Sequence, residues 1–390
     1  MTTKHKIYFQ DCYKMDEIKT NTIDLIVTSP PYPMIEMWDN VFSIQNPLIE
    51  AALIKKDGFK AFKLMHEVLD PIWAEVYRIL KFGGFVCINI GDATRTINGD
   101  FGLYPNHMRI LKTMVDLGFT ILPCILWRKQ TNAPNKFMGS GMLPAGAYVT
   151  LEHEYILIFR KGSKREFQNE YDKKRRRESA IFWEERNIWY SDVWFDIKGA
   201  LQIINDKETR SRSAAYPFEL AHRLINMYSV KGDTILDPFL GTGTTMAASM
   251  ASGRNCIGYE IDDTLKDCIY RSFDKIVEYS NKYIIKRIER HLSFLKERVE
   301  KKKLIKYKNK YYNFPVITSQ EKEILFNELE LCRQNGLNSF EINYSETPHS
   351  CLVFKDSEIE FPTLVSEKCA PLIKTNFNQN LRKKSQLSLF

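Results

Sequence analysis

Apolar residues recur along the chain in two spacings. Short continuous runs stand at 7–9, 24–28, 85–90, 120–127, 153–159, 234–236 and 255–259. Each is bounded by polar or chain-breaking residues, which predicts buried strands. Between them the spacing becomes helical. Over 59–81, Phe62, Met65, Val68, Leu69, Ile72, Trp73, Val76, Ile79 and Leu80 recur at three- and four-residue intervals, with Pro71 as a potential break and Gly83 and Gly84 as punctuation. Residues 107–118 and 217–228 repeat that pattern, and 244–251 predicts a helix of small residues. Ile284, Ile285, Ile288, Leu292, Leu295 and Val299 form a stripe that predicts one long amphipathic helix from soon after Asp262 to about 304. Strands alternating with helices imply right-handed crossovers and an α/β domain with a mostly parallel sheet. Beyond about 310 the pattern weakens and predicts no role.

Composition narrows the class. Of 390 residues, 44% are hydrophobic, 27% charged and 13% aromatic, which excludes a largely disordered or fibrous chain. No apolar run approaches the roughly 18 residues of a membrane span, and the first residues lack a signal-peptide pattern, so a soluble cytoplasmic protein is expected. The eight cysteines include no CxxC pair, which argues against a zinc site or a disulfide framework.

The net charge of +8 is unevenly spread. Residues 160–177 hold nine Lys/Arg against three acids, including the run Lys173, Lys174, Arg175, Arg176 and Arg177, and residues 281–310 hold twelve against three. The remainder is net acidic. Such clustering fits a polyanion partner or, equally, two solvated helix faces.

Two segments carry candidate chemistry. Residues 234–245 run from an apolar strand into a turn containing Gly241 and Gly243 and then into a helix. The glycines let backbone approach a ligand, and the next strand ends about 20 residues later at Glu260, a position suited to ribose hydroxyls. Met246 stands where a third glycine would complete a dinucleotide fingerprint, and no Gly-Lys-Ser/Thr follows, so a nucleoside without phosphates is favoured. The second segment is Thr28, Ser29, Pro30, Pro31 and Tyr32. A rigid diproline turn offers the Pro30 carbonyl and the Ser29 hydroxyl as two acceptors, matching the two donors of an –NH2 group, and the Tyr32 ring can stack on a planar base.

Together, Asp-Pro-Phe-Leu-Gly-Thr-Gly-Thr-Thr (237–245) and Thr-Ser-Pro-Pro-Tyr (28–32) resemble the cofactor and catalytic motifs of the amino-group DNA methyltransferases, in the permuted beta order with the catalytic motif first. The resemblance spans roughly residues 5–265. It implies a Rossmann-like S-adenosylmethionine-dependent methyltransferase sheet with an inserted recognition region and a helical C-terminal extension. It implies cofactor contacts from Thr28, Asp237, Pro238, Phe239, Gly241, Gly243, Thr244, Thr245 and Glu260. It also carries an adenine contact to Asp11, although Gln10 replaces the family's usual glycine, and a cofactor-packing role to Phe218. The corresponding divisions are a catalytic half at 1–161, a target-recognition region at 162–212, a cofactor-binding half at 213–280 and an extension of unknown role at 281–390.

Ser before Pro-Pro-Tyr is typical of the family's cytosine-N4 enzymes, where adenine-N6 enzymes usually carry Asp or Asn. The resemblance therefore implies base flipping in double-stranded DNA and methylation of cytosine N4, with adenine N6 as the alternative. An RNA methyltransferase or a catalytically silent DNA-binding protein is a further alternative. A cytosine-C5 enzyme would need a nucleophilic cysteine, and Cys124, in the sole Pro-Cys pair, lies inside an apolar strand. The resemblance further implies a restriction–modification setting with a separate endonuclease acting on the same site, and a monomer suffices for the reaction. The segments 33–58 and 131–146, together with the basic run at 173–177, are the candidate DNA contacts, and Phe182, Trp183, Trp189, Tyr190, Trp194 and Phe195 a candidate local core.

Overall fold

The computed structural model describes residues 1–129, 139–198, 216–301 and 305–348. The N-terminal part contributes β1 (Thr2–Phe9), β2 (Ile23–Thr28), helices α1 (Asp39–Gln45), α2 (Pro47–Ile54) and α3 (Gly58–Ile79), and β3 (Leu80–Ile90). A hairpin of β4 (Ala93–Ile97) and β5 (Asp100–Tyr104) follows, then α4 (Asn106–Asp116), β6 (Phe119–Arg128) and β7 (His153–Lys161). The middle holds α5 (Glu170–Glu178), α6 (Trp183–Trp189) and β8 (Val193–Trp194). Then come α7 (Phe218–Tyr228), β9 (Thr234–Asp237), α8 (Thr244–Ala251), β10 (Asn255–Glu260), α9 (Lys266–Asp274) and α10 (Ile276–Glu300). Short strands β11 (Tyr307–Lys308) and β12 (Pro315–Val316) pair with each other, and β13 (Leu329–Gln334) and β14 (Ser339–Tyr344) close the described chain.

One ten-stranded sheet has the order β13-β14-β1-β10-β9-β2-β3-β7-β6-β8. Its centre, from β1 through β10, β9 and β2 to β3, is parallel, while β7 is antiparallel to both β3 and β6. β2 is buried at every position, as a central strand covered on both faces must be. From Leu25 its side chains alternate, with Ile26 in one core and Leu25 and Val27 in the other, while Ile23, before the irregularity in the β2–β3 register, joins Ile26. The first core is closed by α3 and α4, the second by α7, α8 and α9.

Three sequence expectations change. Pro71 does not break α3, because its exposed ring sits on the solvent face while Leu69, Ile72, Trp73 and Val76 anchor the helix in the core. The expected single helix after Asp262 is two, α9 and α10, parted at Lys275. Part of the expected C-terminal extension joins the sheet, since β14 pairs antiparallel with β1 from Thr2↔Asn343 to Lys6↔Ser339, while residues 349–390 lie outside the described residues. The expected local aromatic cluster is present in part. Phe182 lies in a third core with Ile288, Phe314 and Phe326, and Trp189 and Trp194 are buried, while Phe195 and Tyr190 are exposed. No helix among the described residues is long and apolar enough to cross a membrane.

Candidate active site

Because β1, β2, β9 and β10 are parallel, their carboxyl ends share one edge of the sheet. Ligands of open α/β sheets bind there, outside the strand ends. The four segments leaving those ends, 10–13, 28–32, 237–244 and 260–262, contribute to one cleft of about 390 Å³, a volume typical of small-molecule sites. Thus Ser29, Pro30 and Pro31 face the same space as Pro238, Gly241, Thr244, Asp11 and Glu260.

A buried carboxylate ties the two motifs together. Asp237 Oδ1 accepts from Thr28 Oγ1 at 2.6 Å and from the Phe239 N–H at 3.1 Å. Its Oδ2 accepts from Thr245 Oγ1 at 2.6 Å and from the Tyr216 hydroxyl at 3.3 Å. Burial still raises its pKa above the ordinary value, against the pull of these four donors. Thr28, Asp237 and Thr245 are all fully buried, so they fasten the end of β2 to the end of β9 and the start of α8.

The glycine turn is shaped by its backbone. Gly241 and Gly243 have φ of +55° and +83°, in the left-handed region that side chains disfavour. A Cβ on Gly243 would press on Ile269 and Phe273 of α9 at 3.2 and 3.4 Å, whereas one on Gly241 would meet no protein atom within 4 Å. Glu260 holds this turn from below, its Oε2 accepting from the Gly241 N–H at 2.7 Å and its Oε1 from the Asp262 N–H at 2.8 Å. Burial pushes the Glu260 carboxyl up to about 7.

The diproline corner rests on buried polar groups. Asn106 Nδ2 donates to the carbonyls of Pro33 and Gly91 at 3.1 and 3.0 Å, and His66 Nε2 pairs with Asn106 Oδ1. Behind the corner, the Tyr32 hydroxyl is bonded to Ser29, Asn89 and Glu154. The cleft wall has a clear sign. Among the described residues lining it are Asp11, Asp237, Glu260 and Asp262, but no Lys, Arg or His. Such a wall repels phosphates and suits a cationic ligand.

The family model of N6/N4 DNA methylases matches residues 23–271. The type II methyltransferase M.MthZI of Methanothermobacter thermautotrophicus is 53% identical over 347 residues, 89% of this chain and 96% of its own. The chain belongs to the N6/N4 DNA methylase family. M.MjaI of Methanocaldococcus jannaschii, also a type II methyltransferase, is 49% identical over 284 residues, covering 69% of this chain and 91% of its own. Among solved structures, TTHA0409 of Thermus thermophilus, complexed with S-adenosyl-L-methionine, superposes with a TM-score of 0.54 at 28% identity, covering 70% of this chain and 95% of its own.

The structure of this methylase gathers most of the expected site residues but not all. Phe218 stands away from the cleft, where its ring packs on His222, Tyr279 and Tyr283. Tyr216, two residues earlier, lines the cleft instead and shares a hydrogen bond with Thr245. Thr28 and Thr245 brace the site through Asp237, as described. The Tyr32 hydroxyl is turned inward, and its ring lies against Gly91, where a Cβ would come within 3.0 Å.

The basic run is not brought to the methylase's cleft. It forms α5, at the opposite edge of the sheet, where β9 begins. Arg175 Nε donates to the Lys231 carbonyl at 2.8 Å and its guanidinium lies 3.4 Å from Asp233. Lys173 pairs with Glu170, Lys174 with Glu178, and Arg177 with Glu323, while Arg176 stacks on Phe167. Arg165 likewise spans Asp233 and Asp24, at the amino ends of β9 and β2. Charge density along a chain cannot say which end of a sheet it will reach. Of the segment 131–146, residues 131–138 lie outside the described residues, as do 199–212 of the expected recognition region.

Sequence reading missed Tyr216, Asn89, Asn106 and Glu154. For Glu154 there was a signal, an acidic residue directly before the apolar run 155–159, and it is buried.

Proposed function

We propose that this methylase transfers a methyl group from S-adenosyl-L-methionine to the exocyclic N4 amine of a cytosine turned out of duplex DNA. One observation carries the reading: the diproline corner and the glycine turn share a single cleft whose lining, among the described residues, holds four carboxylates and no cation. S-adenosylmethionine, when bound, supplies an electrophilic methyl on a sulfonium and carries net positive charge, which that wall complements. Gly241 leaves room for close approach, Glu260 holds the turn at the position where a ribose would lie, and Asp11, two residues past the Phe9 that pairs with Glu260, stands beside it. TTHA0409, which binds this ligand, supports the choice.

On the other side of the cleft, Ser29 Oγ and the Pro30 carbonyl accept the two hydrogens of the target amine. Accepting both draws the nitrogen lone pair out of ring conjugation and directs it across the cleft. Holding the amine at that distance, away from bulk water, is the main work required. The Ser29 hydroxyl and its Pro-Pro-Tyr context support cytosine N4 as the target. Likeness to the type II methyltransferases supports host protection against a separate endonuclease of the same site, and one chain is enough for one strand.

The test is transfer of labelled methyl from S-adenosylmethionine to duplex DNA and to structured RNA, followed by base-resolved mapping. N4-methylcytosine in the duplex is expected. N6-methyladenine would overturn the base assignment, and transfer to RNA alone would overturn the substrate class.

A further inference from the structure

Behind the diproline corner, a file of hydrogen bonds leads from the cleft toward the surface. Ser29 Oγ donates to the Tyr32 hydroxyl at 3.2 Å, and Tyr32 donates to Glu154 Oε2 at 2.9 Å. Asn89 Nδ2 donates to both acceptors, at 2.8 and 2.7 Å. The other Glu154 oxygen, Oε1, accepts from Lys129 Nζ at 2.9 Å, and the Lys129 side chain is 43% exposed. These residues come from the end of β2, from β3, from the residue following β6 and from β7.

We propose that Glu154 is the proton acceptor for methyl transfer, reached from the substrate amine through Ser29 and Tyr32. This rests on the reading of Ser29 as the group that grips the amine. The direction of each bond carries the inference. The Tyr32 oxygen receives donors from Ser29 and Asn89, so its own proton points at the carboxylate. Ser29 has one proton, and that proton is committed to Tyr32. Its lone pairs are therefore left to the cleft, so the hydroxyl accepts from an amine and does not donate to it. Glu154 and Asn89 are buried, and the carboxylate fixes the Asn89 amide, since turning it over would set Oδ1, which has no partner among the described residues, against Glu154 Oε2 in place of the donor. Burial and the facing carboxylate push the Tyr32 phenol well above its ordinary value, so it hands on a proton without resting as a phenolate.

The step balances. The nitrogen–methyl bond forms with the amine lone pair, and the bond between methyl and sulfur breaks with its electron pair staying on sulfur. The nitrogen then carries one proton too many. That N–H bond breaks as its proton passes to Ser29 Oγ, the Ser29 proton passes to the Tyr32 oxygen, and the Tyr32 proton passes to Glu154 Oε2. Both hydroxyls end as they began, the methylated amine is neutral, and Glu154 is a carboxylic acid. Lys129, now facing a neutral partner, favours return of that proton to water at the exposed end of the file.

The test measures single-turnover methyl transfer to duplex DNA, alongside equilibrium binding of S-adenosylmethionine, in the full-length protein. Glu154→Gln and Tyr32→Phe are each expected to slow transfer by about 10²-fold, the low end of acid–base contributions, with cofactor affinity unchanged. Glu154→Asp should recover part of the loss. The wild-type step should show a solvent deuterium isotope effect that Tyr32→Phe removes. Because the residues act in one path, the double variant should be no slower than the slower single variant. Wild-type rates in either single variant, or losses that multiply in the double, would overturn the proposal. Retained cofactor binding shows that each variant is folded, and Tyr32→Phe tests the file should Glu154→Gln fail to fold. Ser29→Ala separates the two readings. If it alone abolishes transfer while the others run at full rate, the file is wrong and the amine grip stands. If Ser29→Ala also runs at full rate, the grip itself is wrong.

Discussion

If Glu260 binds the ligand as proposed, protonation and binding should be coupled there, with a sign that follows from its surroundings. Burial lifts its carboxyl from an ordinary 4.5 to about 7. At about 1.4 kcal/mol per unit, that shift corresponds to about 3 kcal/mol of preference for the neutral form in the ligand-free fold. Between 4.5 and 7 the folded state binds the proton that the unfolded state has lost. Glu260 therefore favours the fold most below 4.5, and this contribution disappears as pH rises through 7. A cationic ligand beside it has the opposite preference. It favours the carboxylate, whose oxygens hold the Gly241 and Asp262 N–H groups. Binding of S-adenosylmethionine should then release a proton. Its affinity should be flat above about 8 and fall by up to about tenfold per pH unit below 7. Glu260→Gln removes the titration and the charge that a bound cationic ligand with ribose hydroxyls would meet, a charged hydrogen bond to such a ligand being worth about 1.5–3 kcal/mol. The variant should bind roughly 10- to 100-fold more weakly at pH 8, without the acid limb. Isothermal titration of both proteins from pH 5.5 to 8.5, in buffers of different ionisation enthalpy, reads affinity and proton release together. The reasoning is refuted if wild type and Glu260→Gln show the same pH dependence.

Three further outcomes follow from the geometry. Gly241→Val forces a β-branched residue to φ +55° and places its side chain beside the cleft, so S-adenosylmethionine affinity should fall at least about tenfold while calorimetry still shows a cooperative transition. Thr28→Val leaves the buried Asp237 carboxylate short of its 2.6 Å donor, and thermal unfolding should report a loss of about 1–3 kcal/mol. Neutralising Lys173, Lys174 and Arg176 should leave the salt slope of DNA binding unchanged, because α5 lies at the opposite edge of the sheet from the cleft; a slope reduced by two to three would place that helix at the DNA after all.

The sequence by itself determined the class of fold and the two motifs that meet in the cleft. Apolar runs in β2, β3, β7 and β9 and helical spacing in α3, α7 and α10 are local properties, readable because side-chain periods of two and 3.6 are imposed by the backbone alone. The same holds for the left-handed turn at Gly241 and Gly243 and for the diproline corner, where residue type limits φ directly. What only the tertiary structure decided was convergence and environment. Tyr216 reaches the cleft and Phe218 does not, because successive residues entering α7 point in different directions. Asp237 joins Thr28 across 209 positions, since parallel crossovers bring those strand ends to one edge, and Glu154 meets Tyr32 across 122, since antiparallel β7 begins where β3 ends. The basic run went to the other edge for the same reason, its place set by the strand ends it packs against and not by its charge. The state of Glu260 depends on the solvent removed around it, and desolvation is a property of the assembled fold that no stretch of sequence carries alone.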